Sequence, residues 1–167
     1  MFQNVLKSHR TIPTYSFPQT TALVFLRVLI GWHFLYEGIV KLINENWTSA
    51  GYLVESKWIL SDFFMWIVGH QMILRLIDLM NIWGLIAIGL GLIVGCLARV
   101  AGVAGILLLL LYYVANPPFI GYSYSMPSEG SYLIVNKNLI EACALFVLVL
   151  FPTSSIIGVD RLIFVKK

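Results

Sequence analysis

RVLIGWHFLYEGIVK, residues 27–41, carries four ionisable side chains (Arg27, His33, Glu37 and Lys41) inside an apolar run otherwise long enough to cross a bilayer. At a helical turn of about 100° per residue, with Arg27 at zero, His33 falls near ~240°, Glu37 near ~280° and Lys41 near ~320°. All four therefore share one face. A charge at hydrocarbon depth costs at least about 2.5 to 3.5 kcal/mol on insertion scales, so a spanning helix with several must turn them toward protein, water or a ligand. A span with one polar stripe implies an all-α membrane bundle with its chemistry on the inside.

The rest of the chain agrees with that class. Of 167 residues, 59% are hydrophobic and 11% charged, well under the roughly 25% charged of a typical soluble domain. This length suits one membrane domain, residues 1–167, with about four spans of ~20 residues each, and leaves no room for a large soluble catalytic domain. Residues 1–21 hold Lys7 and Arg10 but neither an apolar core nor a small-residue cleavage site, and are expected to remain as a cytoplasmic tail. The net charge of +3 is dispersed, with no basic stripe interleaved with stacking aromatics, which argues against nucleic acid as a partner and for the lipid bilayer. Cys96 and Cys143 lie in separate apolar segments without a CxxC pair, so thiol relay chemistry is disfavoured.

Span one is expected at 21–42, after Pro13 and Pro18. Spans two, three and four follow at 80–97, 100–115 and 138–157. Residues 61–79 read as an additional interfacial helix in the first outer connection, with Gln71, Arg75 and Asp78 on one face opposite Phe63, Phe64, Trp66 and Ile67. Small residues Ala87, Gly91 and Gly95, then Ala101 and Gly105, predict a tight hairpin of spans two and three. Residues 117–137 are rich in turn formers and tyrosines, which suit a membrane surface. Four spans put Lys7, Arg10, Arg99, Arg161, Lys166 and Lys167 on one side, opposite Lys41, Lys57, Arg75 and Lys137. That bias predicts cytoplasmic termini and outer connections that are periplasmic in a Gram-negative bacterium.

With a rise of ~1.5 Å per residue, Arg27 lies ~9 Å from the inner end, His33 near the middle, and Glu37 and Lys41 toward the outer surface. Glu37 and Lys41 stand four residues apart in the order that favours an ion pair. Glu141 enters span four at a similar height, with Asn138 one turn earlier on the same face, so two acids from two spans can meet. His33, Glu37 and Glu141 are thus the candidate acid–base residues, and Lys41, Asn138 and Arg27 the candidate ligand contacts. Each also has a purely structural reading: a self-neutralising pair, a helix cap, an interhelical bond or a headgroup contact.

Haem is disfavoured, because the remaining histidines, His9 and His70, fall in the tail and the interfacial stretch. No HxxxH, ExxH or cysteine-rich spacing suggests a metal. Neither an activated nucleophile nor a dinucleotide fingerprint is present, so covalent catalysis by this chain alone is not expected. An apolar pocket with a few convergent polar groups suits an amphipathic small molecule, and a quinone headgroup needs that combination of hydrogen-bond partners and proton donors.

The pattern R27-xxx-G31-xxxxxx-G38-xx-K41, the glycine-rich second span ending in Arg99, and G158-V-D160 together resemble the DoxX family of small four-helix membrane proteins, over residues 21–162. That resemblance implies an integral membrane four-helix bundle in the bacterial inner membrane and association with oxidoreductases, as in the membrane subunits of thiosulfate:quinone oxidoreductase. The long first connection and the polar SMPSEGSYLIVNKNLIEA stretch depart from the family pattern. The leading expectation is an integral subunit of an oxidoreductase complex that binds a quinone near the outer leaflet. A partner oxidoreductase subunit would supply electrons, docking on outer loops that carry Trp47, Trp58, Tyr122, Tyr124 and Tyr132. The alternative is a non-enzymatic membrane anchor or assembly factor, and either role is compatible with a homo-oligomer.

Overall fold

The computed structural model describes residues 15–125 and 133–164. Expectations resting on Lys7, Arg10, Tyr132, Lys166 and Lys167 lie outside the described residues. Among the described residues the protein is all-α, with seven helices: α1 (Phe17–Ile43), α2 (Ala50–Val54), α3 (Ser61–Gly69), α4 (Gln71–Val94), α5 (Ala98–Ala115), α6 (Lys137–Leu150) and α7 (Asp160–Phe164). Three of them, α1, α4 and α5, are long and apolar enough to cross a membrane.

Local chemistry sets where α1 begins. The Ser16 hydroxyl accepts from the Gln19 N–H, the Gln19 side chain accepts from the Ser16 N–H, and Pro18 sits in the first turn where its missing N–H costs nothing. Along α1 the buried residues Arg27, Ile30, Gly31, Phe34 and Gly38 recur at three- and four-residue steps. The opposite face leaves Phe25, Trp32 and Tyr36 exposed, as α4 does Leu76 and Trp83 and α5 does Leu107 and Leu111. Large apolar side chains on the outside of a bundle call for hydrocarbon around it.

Four helices surround the main core: α1 packs on α4, α4 on α5, α5 on α6, and α6 on α1. Ile30, Phe34, Leu85, Ile88, Leu92, Leu109, Leu145 and Leu148 fill the centre. The tightest pair is α1 with α4, not the α4–α5 hairpin that the small residues suggested. A methyl on Gly89 would lie 2.5 Å from Leu35 N and 2.7 Å from Gly31 O, so only glycine permits this backbone approach. Ala87, by contrast, is exposed.

The expected helix over 61–79 is two helices. Its first part is α3, and its second part, with Gln71, Arg75 and Asp78, is the first two turns of α4, so the second long helix starts at 71 rather than 80. His70 makes the break. Its Nδ1 engages the Trp66 carbonyl at 2.7 Å, the acceptor an α-helix would offer its own N–H, and that N–H bonds Ile67 O instead. Helix α6 ends at Leu150, where Pro152 forbids continuation, so the expected fourth span over 138–157 is helical only in its first part. Leu53 of α2, Phe64 and Ile67 of α3 and Ala115 of α5 form a second, smaller core that covers one end of the bundle.

Candidate functional site

Under that cover lies a cavity of about 410 Å³. Helix α1 contributes His33, Glu37 and Lys41, one turn apart on its polar face; α6 contributes Asn138 and Glu141; α4 contributes Asn81; and the end of α5 contributes Tyr112 and Asn116. Phe34, Leu85 and Leu109 close the floor. Trp47, Ser49 and Tyr52 roof it.

Two charged contacts dominate the wall. His33 Nδ1 and Glu141 Oε1 are 2.8 Å apart, joining α1 to α6, with the Glu141 side chain 12% exposed and that of His33 41%. An ionised carboxylate only accepts, so the imidazole donates from Nδ1 and its Nε2 is left as the nitrogen able to exchange a proton with a ligand. Lys41 Nζ donates to Glu37 Oε2 at 3.3 Å, and the same ammonium lies 5.4 Å from the Trp47 ring centroid and 5.8 Å from that of Tyr112. Two aromatic faces and one carboxylate hold this cation in a half-buried site.

The roof is bonded down at several points. Asp78 on α4 accepts from the Thr48 hydroxyl at 2.8 Å and from the N–H and hydroxyl of Ser49. Tyr52 Oη donates to Tyr112 O at 2.8 Å, and Asn116 Nδ2 donates to Tyr52 O at 3.3 Å. Burial pushes the Tyr52 phenol up from its ordinary value, with smaller contributions from Tyr112 and Tyr124. Because the Asn116 amide must present its NH₂ to the Tyr52 carbonyl, its Oδ1 is an oriented acceptor, buried and without a partner among the described residues. Asn81 also bonds through one amide atom, to Tyr112 Oη at 2.6 Å, leaving its other polar atom buried and without a partner among the described residues. Unsatisfied amide atoms in the wall of a cavity are groups that a polar ligand can satisfy.

The structure brings His33, Glu37, Lys41, Asn138 and Glu141 around one cavity, with the Glu37–Lys41 pair that the spacing suggested but a different partner for Glu141. Glu141 meets His33 rather than Glu37. Arg27 does not line this cavity. It is 4% exposed at the opposite end of the bundle, where Nη1 donates to Thr153 Oγ1 at 3.1 Å and Nη2 to Ile157 O at 2.8 Å. Beside it, Asp160 accepts from the N–H groups of Leu97 (2.7 Å) and Ala98 (3.2 Å), capping α5 after a turn in which Gly95 and Leu97 both have positive φ. Gly158 packs against Gly95 there, with no room for a methyl on either. Arg27, Gly158 and Asp160 thus make their contacts within the chain at this end, away from the cavity. Comparison with protein-family models, with curated proteins and with solved structures finds no match to this chain.

Asn81, Tyr112, Asn116 and Tyr52 join the site without any expectation from the sequence. The available signal was the four-residue step from Tyr112 to Asn116, which puts both on one face at the end of α5. Trp47 and Tyr124, expected on a docking surface, turn inward to line the cavity, and Trp58 packs edge-on against Phe119 at 5.1 Å.

Proposed function

We propose that this chain is a multi-pass membrane subunit of an oxidoreductase complex, a bundle of four spans with α6 as the fourth, that binds a quinone in the cavity beside His33 and Glu141. One observation carries the reading: a mostly apolar cavity of about 410 Å³ has a bonded imidazole–carboxylate pair, an ammonium–carboxylate pair and unpartnered amide atoms in its wall. Reduction of a quinone takes two electrons and two protons and yields the quinol. In this reading the electrons come from a reduced centre of a partner protein. His33 Nε2 is the group suited to pass one proton, with Glu141 holding the ring and balancing the imidazolium charge. Lys41 orients a carbonyl oxygen, and Glu37 beside it, its side chain 46% exposed, takes a proton from water and passes it on as the second. The DoxX resemblance points the same way, toward an inner-membrane bundle with this cavity on the outer side and the partner seated over the α2–α3 roof.

The test is purification with lipid, solvent extraction and assay for quinone, repeated on His33→Gln and Glu141→Gln. Stoichiometric quinone in the wild type and its loss in both variants is the expected result. No quinone in the wild type, with partner activity unchanged by both substitutions, overturns it in favour of an anchor or assembly factor.

A further inference from the structure

Of the four seams around the core, that between α1 and α6 is the least extensive. On its outward side runs an apolar trough of about 370 Å³, with Leu26 and Leu29 on one bank and Ile140 and Ala144 on the other. It ends at His33, Glu141 and Lys137, all three of which also line the cavity. The hydrogen-bonded pair is therefore the boundary between an interior chamber with polar walls and a hydrocarbon-facing channel. Leu29 and Ile140 are exposed, so in a membrane the trough opens to lipid tails rather than to water.

We infer that the α1–α6 seam is a lateral portal through which a ligand with an isoprenoid tail enters from the bilayer, its ring passing the His33–Glu141 pair and its tail remaining in the trough. This rests on the quinone reading above and narrows it to lipid-tailed quinones. Three observations converge: the trough and the cavity adjoin, sharing His33, Glu141 and Lys137 in their walls, the banks away from that shared end are apolar, and the seam has the smallest packing to disturb. A side-chain hydrogen bond is easily remade after a ring has passed, whereas the α1–α4 seam is closed by backbone contact at Gly31 and Gly89. A water-soluble substrate would have to pass the roof, which is bonded down to Asp78, Tyr112 and Asn116.

Two photoprobes test the portal in phosphatidylcholine vesicles: a benzoquinone with a diazirine on the ring, and the same ring with the diazirine at the far end of an isoprenoid tail. Cross-links are mapped by peptide mass spectrometry with and without excess untagged tailed quinone. The ring probe is expected on cavity residues such as Trp47 or Tyr112, and the tail probe around Leu29 and Ile140. In Leu29→Trp/Ile140→Trp, tail labelling should fall at least about tenfold, against no change in Leu107→Trp on the exposed face of α5. Displaceable ring labelling in the cavity with tail labelling on another seam overturns the portal and leaves the quinone reading standing. Tail labelling that excess quinone does not displace marks an ordinary lipid chain and overturns it equally. Absence of displaceable ring labelling removes the quinone reading and the portal together.

Discussion

At the Arg27 end of the bundle, charged side chains bond to backbone and to a buried hydroxyl: the guanidinium reaches Thr153 and the Ile157 carbonyl, and the Asp160 carboxylate takes two N–H groups of the α4–α5 turn. At the His33 end, charged side chains bond to one another, His33 to Glu141 between α1 and α6 and Lys41 to Glu37 within α1, and face a cavity of about 410 Å³. Both ends begin from the same helix, α1, and from the same kind of residue. The difference teaches that ionisable groups inside a membrane bundle sort by partner. Groups that satisfy backbone atoms hold the fold, and groups paired with other side chains, beside unpartnered amides, remain available to a ligand.

The comparison can be broken at either end. Arg27→Met should have the largest effect, about 3 kcal/mol of lost stability in reversible unfolding from mixed micelles, since it strips partners from Thr153 and Ile157 O and removes a cation that interacts with Asp160. A variant that unfolds normally but loses ligand would move Arg27 to the functional end. Asp160→Ala should cost about 2 kcal/mol in the same assay by uncapping α5. His33→Gln and Glu141→Gln should shift stability by less than about 1 kcal/mol, because the pair is partly exposed, while quinone occupancy falls at least about tenfold. A loss of stability as large as that of Arg27→Met would make this pair a second structural clamp.

Smaller effects sharpen the contrast. Asn116→Leu removes one bond to the Tyr52 carbonyl and one unpartnered buried oxygen, so stability should stay within about 0.5 kcal/mol of wild type while ligand affinity drops. The raised Tyr52 phenol predicts an alkaline dependence. The unfolded phenol ionises near pH 10 while the folded one keeps its proton, so stability is full below that pH and declines above it. Tyr52→Phe should flatten that decline, measured as melting temperature against pH.

Much of the architecture is legible in the chain itself. The polar stripe, the apolar composition and the proline and glycine punctuation locate the three long helices, and the heights of His33, Glu37, Lys41, Asn138 and Glu141 bring them to one end. What is not legible depends on tertiary contact. Asn81 reads as a turn residue, Tyr112 as a membrane-surface aromatic and Asn116 as a helix stop, and each gains its role only where α4, α5 and α2 converge. The same holds for His70, whose ring competes for a backbone acceptor that no periodicity reveals. Arg27 and His33 look alike in a helical projection, and only the remote partners Thr153, Ile157 and Glu141 separate them.

Arg27 and its two partners stand 126 and 130 residues apart. During synthesis, which proceeds from the N-terminus, α1 reaches the membrane carrying a guanidinium whose bonding atoms do not yet exist. In the interval that charge must be covered by water or lipid phosphate, holding α1 shifted toward the headgroups. Only with residues 153–160 in place can the guanidinium make its bonds in the core and Asp160 cap α5. Closure of the bundle is therefore a late, long-range step, and the C-terminal segment acts as its clock.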